Sequence, residues 1–118
     1  MPPQLAVCEA LLEAGHEVIA IADPQVAQQA ERIGARFEAI DEPPPPAGAT
    51  WAEIHRWSLQ DKFLGSIYAE AMRAAITRHE PDRVLVDGAL FSAQVEAKAS
   101  GIPYAALWVQ LAVTAENW

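Results

Sequence analysis

Residues 81–87 read PDRVLVD, a helix-breaking proline followed by a short apolar run that ends in a carboxylate. An uninterrupted run of Val and Leu is typical of a strand that is covered on both faces, as strands of parallel sheets are. Parallel neighbours must be joined by a crossover connection, which is usually a helix. The stretch therefore predicts a strand over residues 83–87 in an α/β domain, with helices before and after it.

The rest of the chain alternates in the same way. Three more short apolar runs have the length of strands, over residues 17–22, 36–40 and 104–109. Helical periodicity predicts helices over residues 3–14, 24–33 and 91–100, and a long helix over residues 50–79 that bends near Gly65. Four consecutive prolines make residues 41–49 a surface loop. We therefore predict one partial Rossmann-like domain over residues 1–118, with a mostly parallel sheet of about four strands and flanking helices.

Composition and charge exclude several classes of partner. Sixteen acidic residues against eight basic ones give a net charge of −8, which should repel nucleic acid and anionic membranes. No apolar run approaches the ~20 residues needed to span a bilayer. No Lys or Arg precedes the apolar N-terminal stretch, as it would in a signal peptide. We expect a cytoplasmic protein with no membrane span.

The candidate site follows from the predicted sheet. Ligands of open parallel sheets bind outside the carboxyl ends of the strands. Those positions are Asp23, Asp41, Asp87 and the residues that follow Val109. The histidines show no metal-ligand spacing, and we expect neither a metal nor a cofactor in this chain.

Four motifs, taken together and in order, resemble a known family. They are residues 3–18, which end in LLEAGHEV, then IGARF at 33–37, PDRVLVD at 81–87 and GIP at 101–103. Their order and spacing resemble the N-terminal, acceptor-binding domain of GT-B glycosyltransferases. The family glycosylates small lipophilic acceptors and includes macrolide and plant-metabolite transferases. The resemblance implies an incomplete GT-B N-terminal domain whose whole enzyme moves sugar from a nucleoside-diphosphate sugar to an acceptor hydroxyl.

The resemblance also implies roles for individual residues. Asp87 matches the aspartate that family members pair with a histidine general base, where a carboxylate orients the imidazole. Its alternative role is local, as a cap of the following helix or a partner of a backbone turn. Phe91, Trp108, Gln110 and Thr114 occupy stretches that face the acceptor in the family. For Phe91 and Trp108, packing in the core is an equal alternative.

Two parts of the family pattern are not in this sequence. The family histidine follows a first strand that lies ahead of the segment that residues 1–3 resemble, and the nucleotide sugar is held by a C-terminal domain. We therefore expect this chain alone to be inactive and to meet a nucleotide sugar only through that domain. Because the family's first strand is central, its neighbours should have unpaired edges, which predicts self-association or binding of a separate segment.

Two functions from other classes stay open. The chain could be a noncatalytic module that binds a small apolar molecule or a partner chain, which predicts saturable binding without turnover. It could instead be a fragment of a nicotinamide dehydrogenase, in which Asp23 would hold a ribose hydroxyl. The first helix opens on MPPQLA, without the glycines of a phosphate-binding loop, which disfavours the dehydrogenase.

Overall fold

Parallel strands and helices alternate along residues 2–108, the part of the chain that the computed structural model describes. The strands are β1 (Ile19–Ala22), β2 (Arg36–Ala39), β3 (Val84–Asp87) and β4 (Tyr104–Leu107). The helices are α1 (Pro3–Glu13), α2 (Ala27–Arg32), α3 (Trp51–Trp57), α4 (Ser66–His79) and α5 (Phe91–Ala99). The predicted α/β class and the predicted order of elements are confirmed.

The strands form two parallel pairs. In one pair Ile19 of β1 lies opposite Arg36 of β2, and in the other Val84 of β3 lies opposite Tyr104 of β4. The prediction of one sheet of about four strands is wrong for the described residues, because β1 and β3 form no ladder with each other. Within each pair, a single crossover helix connects the two parallel strands: α2 connects β1 to β2, and α5 connects β3 to β4. The much longer connection from β2 to β3 does not bring the two pairs into one ladder.

The middle of the chain departs from the predicted continuous helix. Helix α3 begins at a capping box, in which the Glu53 amide donates to Thr50 Oγ1 at 3.3 Å and the Thr50 amide donates to Glu53 Oε2 at 2.7 Å. A π-helical turn over Ser58–Phe63 then interrupts the helix, and α4 starts after an extended Gly65. A Cβ at Gly65 would collide with the carbonyl oxygens of the preceding turn. The predicted bend is therefore a break into two helices.

Two apolar clusters hold these elements together. Leu5, Ala30 and Ala35 form a cluster in which α1 and α2 cover one face of the β1–β2 pair. The second cluster is built from Ile40, Tyr68, Val86 and Ala93, with Ile21 of β1 and Ala106 of β4 packed against it. This second cluster draws on both strand pairs, so α4, which carries Tyr68, joins them.

The surface of the described part shows two further features. Helix α4 is anchored to β2 by Arg78 and His79, which both lie 2.6 Å from carboxylate oxygens of Glu38. Within residues 2–108, no helix combines the length and the apolar character needed to cross a membrane.

Candidate functional site

Carboxylates gather where the strands end. Asp23 follows β1, Glu42 follows β2 and Asp87 ends β3. Tyr68 lies among them: its hydroxyl donates to Glu42, and its ring shares an apolar cluster with Ile21 and Val86, which stand shortly before Asp23 and Asp87 in β1 and β3. We call this region, defined by Asp23, Glu42, Asp87 and Tyr68, the carboxyl edge. Of the acidic positions predicted from the sequence, Asp23 and Asp87 belong to it, whereas Asp41 is exposed and its neighbour Glu42 takes part instead.

Asp87 is a fixed, half-buried carboxylate. Its Oδ2 accepts a hydrogen bond from the Gln4 amide nitrogen at 2.6 Å, and its Oδ1 accepts one from the Ala89 backbone at 2.8 Å. The bond to Ala89 is the backbone-turn contact that the sequence left open. Helix α5 has Leu90 at its N-cap and no side-chain capping bond, so Asp87 does not cap it. Two donors on two oxygens leave the carboxylate little freedom to rotate.

Two aromatic rings lie beside this carboxylate. The ring centroids of Phe91 and Trp108 are 6.0 Å apart with their planes tilted by 50°. Phe91 is 46% exposed and Trp108 is 51% exposed, so neither ring belongs to the core. Trp108 directly follows Leu107, the residue that lies opposite Asp87 in the β3–β4 pair. The structure thus brings together Asp87, Phe91 and Trp108, while Gln110 and Thr114 lie outside the described residues.

Gly88 supports the indole of Trp108. Gly88 is buried, and a Cβ built on it would overlap three carbons of the Trp108 ring system. The indole therefore packs directly on the backbone that follows Asp87. Only a residue without a side chain permits this approach.

Tyr68 belongs to the carboxyl edge although it was not among the candidate site residues predicted from the sequence. Its hydroxyl donates to Glu42 Oε2 at 2.8 Å, and Lys62 Nζ lies 3.4 Å from Glu42 Oε1. The Glu42 side chain is only 5% exposed. Burial, followed by the bond to Glu42 and the charges of Glu42, Asp23 and Asp87, raises the pKa of the Tyr68 phenol well above its usual range. The signal that could have identified Tyr68 was its hydroxyl group, because a tyrosine buried in the core needs a hydrogen-bond partner for that group.

The chemistry of this edge disfavours anionic ligands and suits groups that donate hydrogen bonds. Carboxylates accept hydrogen bonds and repel anions, and the exposed rings offer apolar faces. Among residues 2–108, no group of three His, Cys, Asp or Glu side chains is placed to hold a metal ion. The edge therefore combines a fixed carboxylate with an apolar contact surface.

Comparison with solved structures gives a similar protein. The crystal structure of the glycotransferase of kitacinnamycin matches 91% of this chain with a TM-score of 0.67 and 26% sequence identity. This chain spans only 26% of that protein's length. No family model matches the chain, and no match is found among curated proteins. The similarity supports a GT-B glycosyltransferase-like fold.

The raised pKa of Tyr68 predicts a loss of stability in alkali. A phenol whose pKa is higher in the folded than in the unfolded chain contributes its full stability below the unfolded pKa of about 10, and that stability is lost as the pH rises above it. The free energy of unfolding should fall by about 1.4 kcal/mol per pH unit above pH ~10 through this group alone. Urea unfolding at a series of pH values measures this slope.

Tyr104 supplies the matched control for this measurement, because its side chain is partly exposed on β4. Tyr68→Phe should remove most of the alkaline slope, whereas Tyr104→Phe should keep it. Equal slopes in the two variants would contradict the assignment to Tyr68.

The contact between Gly88 and Trp108 predicts coupling between the two positions. Gly88→Ala should destabilise the chain by about 1–3 kcal/mol, because the new methyl group displaces the indole. In a Trp108→Ala background the same change should cost far less, and the difference is the coupling energy of a double-mutant cycle. Thermal unfolding of the four proteins measures it. A Gly88→Ala cost that is unchanged in the absence of the indole would show that the ring does not lie on Gly88.

Proposed function

We propose that this chain forms the acceptor side of a glycosyltransferase that acts on small lipophilic acceptors with a free hydroxyl group. The observation that carries the proposal is the placement of the Phe91 and Trp108 rings beside the fixed carboxylate of Asp87 at the ends of parallel strands. Ligands of such sheets bind at this edge. The similarity to a glycosyltransferase structure supports the same conclusion.

The two rings provide the contact surface for the acceptor. Both are about half exposed and their planes are tilted by 50°, so one ring can stack face-on against a flat apolar molecule while the other meets its edge. The net charge of −8 and the carboxylates of the edge disfavour an anionic acceptor. A neutral aromatic or polyketide-like alcohol fits this surface best.

We propose that Asp87 assists the deprotonation of the acceptor hydroxyl by orienting a separate base. In the reaction, the acceptor hydroxyl loses its proton to a base while its oxygen bonds to the anomeric carbon of the sugar. The anomeric bond to the nucleoside diphosphate breaks, and the diphosphate leaves with the electron pair. The carboxylate of Asp87 would orient an imidazole base and stabilise its charged form. Oδ2, which accepts from Gln4, has a second lone pair for such a bond.

The nucleotide sugar is proposed to bind to a separate domain that faces this edge. A diphosphate requires positive or amide-rich surroundings, whereas Asp23, Glu42 and Asp87 make this edge negative. Because the acceptor and the nucleotide sugar would bind to different domains, we expect the chain alone to bind the acceptor and not to transfer sugar.

A noncatalytic binding module is the second candidate. Both oxygens of Asp87 already hold hydrogen-bond donors, which suits a carboxylate that shapes a ligand surface as well as one that orients a base. Binding of an acceptor is common to both functions. Turnover of a complete protein that contains this domain separates the two functions. In a transferase, Asp87→Asn would abolish sugar transfer and leave acceptor binding within about threefold. A binding module would show no sugar transfer before or after the change.

The aromatic pair predicts acceptor binding by this chain. Umbelliferone, a planar lipophilic phenol, should bind saturably, and Trp108→Ala should weaken its binding about tenfold because a stacking face is lost. Isothermal titration calorimetry measures both affinities. Addition of UDP-glucose to the chain alone should yield no glycosylated product.

Trp51 provides the matched control, since it is 75% exposed on α3 and packs edge-on against His55. Trp51→Ala should leave umbelliferone binding unchanged. Equal losses in the two variants would indicate unspecific contact with tryptophan, and would argue against the site at Phe91 and Trp108.

A further inference from the structure

A groove lies between the proline-rich loop and the helical segment that follows it. One wall is the chain of residues 46–49, and the other is formed by Glu53, Arg56, Trp57, Gln60 and Asp61. The groove encloses about 440 Å³, which is within the range of small-molecule sites. The described residues that line it all lie between positions 46 and 61, so it shares no residue with the acceptor surface at Asp87, Phe91 and Trp108.

Both walls of the groove are fixed by the backbone. In the loop, the Ala49 amide donates to the Pro46 carbonyl at 3.2 Å and closes a β-turn, with Gly48 at its third position at a φ of 70°. On the other side, the capping box holds the start of α3, and the carbonyl oxygens of the π-helical turn pack closely on Gly65. The groove is therefore formed before a ligand enters, which lowers the cost of binding.

Three polar side chains of the groove are free to bind a ligand. Among residues 2–108, the side-chain hydrogen bonds and ion pairs do not include Arg56, Gln60 or Asp61. Glu53, which lies one turn before Arg56, is held by the capping box instead. A guanidinium donates, a carboxylate accepts and an amide does both, so the three groups together offer donors and acceptors.

Trp57 adds an apolar face to the same groove. Its side chain is partly buried, and the spacing of Glu53, Trp57 and Gln60 places them on one side of the helical segment. An indole presents a large, electron-rich face that packs against C–H groups. The groove thus combines one aromatic face with several hydrogen-bonding groups.

This combination selects the chemistry of the ligand. A flat aromatic molecule would cover the indole but leave the polar groups without partners. An anion would be attracted by Arg56 and repelled by Glu53 and Asp61. A neutral pyranose ring meets both requirements, because its axial C–H groups form an apolar face and its equatorial hydroxyls donate and accept around the ring.

We propose that the groove between residues 46–49 and α3 binds one neutral pyranose unit, which stacks on Trp57 and forms hydrogen bonds with Arg56, Gln60 and Asp61. The inference does not depend on the proposed transfer of sugar, because the two surfaces have no residue in common. It adds a carbohydrate-binding site to the chain.

Two-dimensional NMR of the full, isotope-labelled 118-residue chain tests the proposal. The probe is methyl β-D-glucopyranoside, in which every ring substituent is equatorial and both ring faces present C–H groups. The indole N–H signal of Trp57, assigned by its loss in Trp57→Phe, should shift saturably with a Kd of about 1–10 mM. The indole signal of Trp51, which is 75% exposed on the same helix, should stay in place.

Variants identify the groups that hold the sugar, and saturation-transfer NMR of the glucoside measures their binding. Gln60→Ala changes an exposed residue and should weaken binding about three- to tenfold through lost hydrogen bonds. Trp57→Ala should abolish saturable binding, whereas Trp57→Phe, which keeps an aromatic face, should retain part of it. Trp51→Ala is the matched control and should bind as the unchanged chain does. Umbelliferone should bind to Trp57→Ala normally, which shows that this variant is folded and that the two sites are separate.

Two control ligands separate the parts of the recognition. Cyclohexanol has the ring without the set of hydroxyls, and glycerol has hydroxyls without a ring face. Neither should shift the Trp57 signal saturably below about 100 mM.

Three results would overturn the sugar site. The first is a Trp57 signal that the glucoside leaves in place while the chain still gives the dispersed spectrum of a folded protein. The second is binding of glycerol or cyclohexanol as tight as that of the glucoside. The third is an equal loss of binding in Trp57→Ala and Trp51→Ala, which would indicate unspecific contact with tryptophan.

Discussion

The contact of Tyr68 with its neighbours holds the described part of this chain together. Its ring lies in the cluster that contains Ile40, which directly follows β2, and Val86 of β3, and its hydroxyl donates to Glu42. No hydrogen-bonded ladder connects the two pairs in residues 2–108. Packing on α4 therefore substitutes for strand pairing. A buried apolar ring supplies the free energy, and the hydroxyl bond fixes the segment that follows β2.

The packing of helices against the two strand pairs also fixes the side chains of the carboxyl edge. Glu42 is held by Tyr68 and by Lys62, which the π-helical turn presents at 3.4 Å. Asp87 is held by Gln4, which comes from α1 at the other end of the described chain. Glu42 and Asp87 are thus each tied to a helix that does not follow them directly in sequence. The position of the site depends on the packing of α1 and α4 against the two strand pairs.

Local signals predicted the elements well, because each signal acts over a few residues. The PDRVLVD stretch predicted β3, and the short apolar runs over residues 17–22 and 36–40 predicted β1 and β2. Sheet assembly was not predictable in this way. Pairing across β1 and β3 depends on edges far apart in sequence, and the periodicity of either strand is the same whether its second edge is paired or free.

The part of the site that lies at the strand ends was predictable from the sequence. The part that depends on packing between distant elements was missed. Asp87, Phe91 and Trp108 come together because β3 and β4 end side by side, which a parallel order requires. Tyr68 and Glu42 are 26 residues apart, separated by the proline-rich loop and α3, and no spacing rule links them.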